Sequence, residues 1–359
     1  MLASAGFRRW AAAFPLTRPV ARRRAAALFD LSAGFVYSQI LLACVELDLF
    51  SVLAQGPQTA TALARRIGLP LPATQRLLDA ATALGLVARR GADRFGLGAL
   101  GAALVDNPAV AGMIAHHPML YRDLADPVAL LRGECPDTEL ARYWPYGDAG
   151  ARARLAPAEA APYSALMAAS QALIAEEVLD AVPLRRHRCL LDVGGGDGGF
   201  VAAALCRTLG LRAILFDLPA VAARARQRFE AERLSATAVG GDFLADPLPS
   251  GADVVSLVRV LHDHDDDVAL AILCAARRAL PAGGTLLLAE PMAETRGAAP
   301  VGAYFGFYLL AMGHGRPRSR RELAAMLRRS GFERIRQRPT STPLLTSVLT
   351  ARVPIVTVG

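Results

Sequence analysis

Residues 189–200, Cys-Leu-Leu-Asp-Val-Gly-Gly-Gly-Asp-Gly-Gly-Phe, constrain the fold of this chain more than any other stretch. The apolar run Leu190, Leu191, Val193 reads as a buried strand. Five glycines occupy the six positions from Gly194 to Gly199, and an apolar helical stretch opens at Phe200. A strand, a glycine turn and a helix in that order open the nucleotide-binding half of a doubly wound α/β sheet. A Cβ in such a loop would block both the sharp turn and the approach of a ligand to the backbone. A glycine-rich turn with no ligand is the plainer alternative, and the flanking strand and helix weigh against it. Gly194, Gly196 and Gly199 satisfy G-x-G-x-x-G, which alone is a weak dinucleotide signal. The same residues satisfy D-x-G-x-G-x-G from Asp192 to Gly198.

The residues that follow supply the sheet. Leu190–Val193, Ala213–Phe216, Ala238–Val239, Asp253–Leu257 and Thr285–Ala289 read as five strands with helices between them, such as Asp266–Leu280. After a helix at 320–330, Phe332–Arg338 and Ser347–Val353 read as an antiparallel pair closing a parallel sheet. A dehydrogenase sheet would more often end on a parallel strand. Ahead of the sheet, Thr59 opens a helix that Gly68 stops, Pro72 starts a second helix running to Leu84, and a hairpin turns at Gly91-Ala92-Asp93. Helix, turn, helix and hairpin outline a winged helix. Only Gln75 and Arg76 offer base-reading groups on its second helix, so packing or dimerisation is preferred to DNA reading. Residues 26–55 carry apolar positions at helical spacing (Leu28, Phe35, Ile40, Cys44, Leu47, Phe50) and are expected to be buried helix. Residues 110–185 read as irregular helix with Tyr121, Tyr143, Trp144, Tyr146 and Tyr163, which serve either a core or a hydrophobic substrate channel. Met167, just ahead of the glycine loop, is placed at the cleft mouth as a substrate contact.

Ligands of such sheets bind at the carboxyl ends of the strands, and acids stand at or after four of them: Asp192, Asp217, Asp242 and Glu290. Asp217 follows the glycine loop by about 20 residues, where a carboxylate accepts the ribose hydroxyls of an adenosine. Asp242 is placed to accept the adenine amino group, with Phe243 on the ring. Beyond the fourth strand, His262-Asp-His-Asp-Asp-Asp267 is the most unusual polar cluster in the chain. Read as metal ligands, His262 and His264 could chelate only from an extended backbone, and no second ligand cluster accompanies them. Asp265 to Asp267 fit a solvated helix N-terminus. His262, at the strand end, can accept a proton from a substrate hydroxyl while Glu290 holds its other ring nitrogen.

Composition bounds the remaining possibilities. With 53% hydrophobic and 20% charged residues among 359, the chain is globular and long enough for two domains. The net charge of +8 arises entirely from arginine, with no lysine anywhere, so it argues only weakly for nucleic acid. Arg8, Arg9, Arg18 and Arg22–Arg24 precede the first acid, Asp30; the readings are a frayed basic tail, a targeting peptide or a peripheral contact with an anionic membrane, and short apolar stretches broken by Arg and Pro favour the tail or the membrane contact. No uninterrupted apolar run reaches about 18 residues, so no spanning helix is expected. The five cysteines are scattered without a CxxC pair, as in a reducing cytoplasm, and suggest neither disulfides nor zinc.

Asp192-Val-Gly-Gly-Gly-Asp-Gly, Phe216-Asp-Leu-Pro219, Gly240-Gly-Asp-Phe243, Val260-Leu-His-Asp263 and Glu290 resemble the plant-type, metal-independent small-molecule O-methyltransferases. Segment 59–105 is similar to their N-terminal dimerisation domain. The resemblance implies the S-adenosylmethionine-dependent methyltransferase fold, with a Rossmann-like doubly wound α/β sheet. It implies that Asp192, Gly194, Gly196, Gly198, Asp217, Asp242, Phe243 and Arg259 bind S-adenosylmethionine, that His262 is the base supported by Glu290, that no metal takes part, and that the protein is a homodimer. The domains expected are a basic tail (1–25), the winged-helix dimerisation domain (26–110), a helical connecting and substrate region (111–185) and the S-adenosylmethionine-binding domain (186–359). Phe29–Gln39, Leu120–Asp126 and Tyr163–Ser170 resemble the bacterial carotenoid hydroxyl methyltransferases of the hydroxyneurosporene or demethylspheroidene type, which implies a tertiary 1-hydroxyl of an acyclic carotenoid as acceptor.

The chain departs from the family pattern at three places. His264 replaces a usual Trp. Val258 replaces a lysine of many plant members, whose cofactor contact Arg259 is expected to take over. Arg320 falls where a second acid commonly supports the base, leaving Glu290 alone for that task. Other readings are a phenol or polyketide methyltransferase, a winged-helix DNA-binding regulator with a cofactor-sensing domain, and a nicotinamide oxidoreductase.

Overall fold

The computed structural model describes residues 4–144, 157–295, 297–341 and 346–355. The chain divides into two compact units, residues 1–115 and 116–359.

The first unit opens with helices α1 (Ala5–Ala13) and α2 (Arg18–Glu46), so the basic segment expected as a frayed tail is helical. Only the C-terminal third of α2 is buried. Leu42 and Cys44 enter the core, whereas Leu28 and Phe35, expected inside, are exposed. Contrary to the reading of the apolar runs, α2 is long and apolar enough to cross a membrane by length and composition. Next come α3 (Leu49–Ala54), β1 (Gln58–Thr59), α4 (Ala60–Ile67), α5 (Leu71–Ala83), β2 (Val87–Arg89), β3 (Arg94–Leu97), α6 (Ala99–Ala102) and the start of α7 (Pro108–Asp123), whose residues from His116 on belong to the second unit. Local chemistry accounts for the bounds of α4: Thr59 Oγ1 accepts the Ala62 N–H at 3.2 Å, and Gly68 ends the helix at φ 71°. Strands β1, β3 and β2 form a small antiparallel sheet over a core that includes Leu49, Phe50, Leu63, Leu78 and Phe95.

The second unit carries α8 (Pro127–Leu131), α9 (Glu139–Tyr143) and α10 (Pro157–Ala181). The alternating part follows: β4 (Cys189–Val193), α11 (Gly199–Arg207), β5 (Arg212–Asp217), α12 (Pro219–Ala231), β6 (Ala236–Gly240), β7 (Val254–Val258), α13 (Asp266–Ala279) and β8 (Thr285–Glu290). It closes with α14 (Ala299–Met312), α15 (Arg320–Arg329), β9 (Glu333–Arg338) and β10 (Ser347–Arg352). The sheet order is β6-β5-β4-β7-β8-β10-β9, parallel from β6 to β8, with β10 antiparallel to both β8 and β9.

The period of two explains the burial of β4, β7 and β8, every residue of which is inside. Leu191, Val193, Val255, Leu257, Leu286 and Leu288 pack on one face against α13 and α15. Leu190, Val254, Val258, Leu287 and Ala289 pack on the other, against α10, α11 and α12. Each fully buried Leu or Val contributes about 1.5–3 kcal/mol, so the strand ends are held firmly where the site is built.

Candidate active site

A cleft of about 910 Å³, part of it open to solvent, lies at the carboxyl ends of β4, β5 and β7. The loop after β4 forms its floor with Gly194, Gly195, Gly196 and Asp197; Asp217, Leu218, Asp242 and Phe243 form one wall, and Arg259, Val260, Asp263 and His264 another. Trp144, Met167, Ala168 and Gln171 stand at its rim, so Met167 is where the sequence places it. Tyr146 and the side chain of Tyr163 lie outside the described residues.

Within the loop, the Gly196 N–H donates to Asp217 Oδ2 at 2.8 Å, and Asp217 Oδ1 accepts the Leu218 N–H at 2.7 Å. Each oxygen keeps a lone pair for a ribose hydroxyl. Burial pushes the Asp217 carboxyl up to about 6, against the pull of those two N–H groups. Asp242 anchors its own turn by accepting the Leu244 N–H at 2.9 Å. Asp192 behaves otherwise than expected. It is buried and does not line the cleft; its Oδ1 accepts from Ser256 Oγ at 2.5 Å, while Oδ2 is buried without a hydrogen-bond partner. Desolvation raises its carboxyl to about 7. A Cβ on Gly195 would stand 2.4 Å from Asp192 Oδ2, so Asp192 supports the loop from beneath. Gly198 is likewise not in the lining; it packs on Phe229 at the start of α11. The backbone donors and the ribose-type carboxylate fit an adenosine-bearing group.

His262 sits in a single 3-10 turn, Leu261–Asp263, and not at the strand end itself. Its ring is buried beside the cleft, which it does not line. Nδ1 lies 2.6 Å from Glu290 Oε2, as the sequence predicts. Glu290, the last residue of β8, also accepts the N–H groups of Val260 at 3.1 Å and Leu261 at 2.7 Å through Oε1. One carboxylate thus fixes both the imidazole and the turn that carries it. The other ring nitrogen, Nε2, lies 3.1 Å from Asp263 Oδ1, a second acid that sequence reasoning did not single out. Burial alone would lower the imidazole pKa, but the carboxylates of Asp263 and Glu290 outweigh it and raise the value above 6.5.

The three departures from the family pattern have structural answers. Arg320 is exposed in the first turn of α15. Arg318, two residues earlier, is buried and donates to Leu261 O and His264 O, each at 2.6 Å, and to Asp266 at 2.8 Å. His264 packs edge-on to Phe243, at 5.5 Å between ring centroids, and lies 5.9 Å from the Trp144 ring, so that wall of the cleft stays aromatic. Arg259 lines the cleft in a left-handed conformation, φ 60°, with its guanidinium 3.3 Å from the Met167 sulfur. Among the described residues, no three His, Cys, Asp or Glu side chains converge as metal ligands.

Helix α14 completes the surroundings of His262, and the sequence reading passed over it. Phe305 meets the His262 ring edge-on at 6.1 Å. Tyr304 and Tyr308 hydrogen-bond His117 and His116 of α7 at 2.8 and 2.9 Å. Burial lowers His116 to about 4, which keeps that imidazole neutral. Pro300 near its start and Gly313 after its end are ordinary helix boundary signals that could have located α14.

Residues 121–333 match the model of the O-methyltransferase domain, and residues 29–107 match that of the O-methyltransferase dimerisation domain. The chain belongs to the O-methyltransferase family. Similar curated proteins are the demethylspheroidene O-methyltransferases of Cereibacter sphaeroides (46% identical, covering 95% of this chain and 90% of that protein) and of Rhodobacter capsulatus (44%, 94% and 84%). Among solved structures, the mitomycin 7-O-methyltransferase superposes with a TM-score of 0.76 at 28% identity, over 93% of this chain and all of that one. Human N-acetylserotonin methyltransferase, solved with S-adenosylmethionine, gives a TM-score of 0.76 at 25% identity, over 92% and 98%. The protein is therefore an S-adenosylmethionine-dependent O-methyltransferase, and the regulator and oxidoreductase readings are set aside. In this O-methyltransferase, Asp217, Asp242 and the 194–197 loop line the same cleft.

Proposed function

We propose that this O-methyltransferase methylates the tertiary 1-hydroxyl of an acyclic carotenoid, with His262 as general base. Similarity to the demethylspheroidene O-methyltransferases along nearly the whole chain carries the substrate class. The Glu290–His262 pair behind the Asp263 wall of the cleft supports the base. S-adenosylmethionine supplies an electrophilic methyl group. His262 takes the hydroxyl proton at Nε2 once the hydroxyl replaces Asp263 Oδ1, now 3.1 Å from that nitrogen, and Glu290 stabilises the imidazolium through Nδ1. A tertiary alcohol is a weak acid, so the proton leaves as the methyl arrives. Holding the oxygen in line supplies roughly 7–11 kcal/mol of the barrier reduction, and the base adds about 10²–10⁴-fold.

The test presents S-adenosylmethionine with a 1-hydroxy acyclic carotenoid or a simple phenol, in separate detergent samples, and reads product mass. One methyl gained on the carotenoid alone, with turnover reduced about 10²–10⁴-fold in His262→Ala and cofactor binding retained, is the expected result. Methylation of the phenol alone removes the carotenoid assignment.

A further inference from the structure

The segment ahead of the dimerisation match at 29–107 has a chemistry of its own. Helix α1 turns back on α2, where Thr17 Oγ1 donates to Ala11 O at 2.8 Å. Phe7, Trp10 and Phe14 lie one to two turns apart; Trp10 stacks on Phe14 with ring centroids 5.1 Å apart, and Phe7 meets Trp10 at a tilt, 5.7 Å away. Trp10 is 52% exposed, and beside it Phe14, Leu16 and Val20 also face solvent. Around this apolar strip stand the exposed Arg9, Arg18, Arg22, Arg23 and Arg24; among the described residues none of them has an ion-pair partner, and no acid precedes Asp30. Soluble surfaces rarely concentrate tryptophan, phenylalanine and unpaired arginine in one stretch, whereas a lipid headgroup layer accepts all three.

We propose that residues 5–24 form an interfacial anchor that seats the protein on an anionic lipid bilayer. Trp10, Phe14, Leu16 and Val20 enter the headgroup–acyl boundary while the arginines meet the lipid phosphates. The charge selects a lipid surface over a second copy of the chain, which would bring the same arginines against one another. The anchor lies on the bilayer and does not span it. Cys44 is wholly buried, Leu42 is buried too, and Ile40, Leu41 and Val45 pack on the core of the first unit, so the end of α2 is held in protein. The anchor does not depend on the carotenoid reading, since its test contains no substrate.

Full-length protein is floated with vesicles of phosphatidylcholine, with and without phosphatidylglycerol, at low and high salt. Binding to the anionic vesicles alone, weakened by salt, is expected. Arg22→Gln, Arg23→Gln and Arg24→Gln together lower the partition coefficient on the order of 100-fold, at roughly fivefold per arginine. The corresponding lysine triple retains binding, and Trp10→Ser with Phe14→Ser weakens it without changing the salt dependence. Circular dichroism and sedimentation velocity show that each variant keeps its fold and assembly. Equal binding to neutral vesicles, no effect of the glutamine triple, or dissociation of the assembly by that triple overturns the proposal; the last outcome assigns the segment to a second copy.

Discussion

At the scale of single residues, the base proposed at His262 ties the reaction to pH. Its pKa is raised by Asp263 and Glu290 despite burial, so the protonated, inactive imidazole persists above pH 6.5. The profile of kcat/KM therefore rises through an apparent pKa above 6.5. Glu290→Gln removes one of the two charges that favour imidazolium, so the acid limb moves to lower pH while kcat falls. An unmoved limb would show that another group titrates. The same raised pKa contributes stability that is fully present below 6.5 and lost as pH climbs through the folded value. Asp192 and Asp217 are shifted for a different reason. Both carboxyls are raised chiefly by burial, which disfavours the charged form, so their contribution to stability declines as pH rises from 3.8 toward about 7 for Asp192 and about 6 for Asp217.

At the scale of elements, the 3-10 turn is held from three directions. Glu290 takes the N–H groups of Val260 and Leu261, Arg318 takes the carbonyls of Leu261 and His264, and Gly315 lies against the carbonyl of His262. Arg318→Gln leaves two buried carbonyls without their guanidinium, at about 1–3 kcal/mol each. Denaturant titration is expected to show that loss, and kinetics a fall in kcat with the dissociation constant for S-adenosylmethionine within about twofold of the parent. Gly315 has φ 77°, and a Cβ there would stand 2.1 Å from His262 O. Gly315→Ala must displace the base, so kcat is expected to drop by about tenfold or more while calorimetry finds cofactor affinity retained.

At the scale of the whole molecule, the dimerisation domain at 29–107 supports a homodimer. On α2, Leu28, Leu31 and Phe35 follow at helical spacing and are 69, 82 and 68% exposed in the single chain. A second copy covering this strip would recover about 1.5–3 kcal/mol per side chain. Phe35→Asp is therefore expected to shift sedimentation equilibrium from dimer toward monomer, with the fold of the second unit intact by circular dichroism. A variant that sediments as the parent would place the interface elsewhere on the dimerisation domain.

What could be read in advance was local. Parallel strands buried on both faces must be apolar runs, and the glycine loop, Asp217 and the closing antiparallel pair carry their signals within a few residues, so sheet, cleft and methyl donor were legible from the sequence alone. Helix α14 went unread for the opposite reason: it is apolar around its circumference, without the one-sided period that marks an amphipathic helix. The chain alone also left undecided which acids face the ligand. Asp192 and Asp217 look alike in sequence, yet packing buries the first beneath Gly195 and opens the second to the cleft. Arg318 clamps a turn 57 residues away, and His116 pairs with Tyr308 across 192 residues. Periodicity and turn chemistry act between near neighbours in the chain, whereas partners this distant meet only when the assembled layers bring them together.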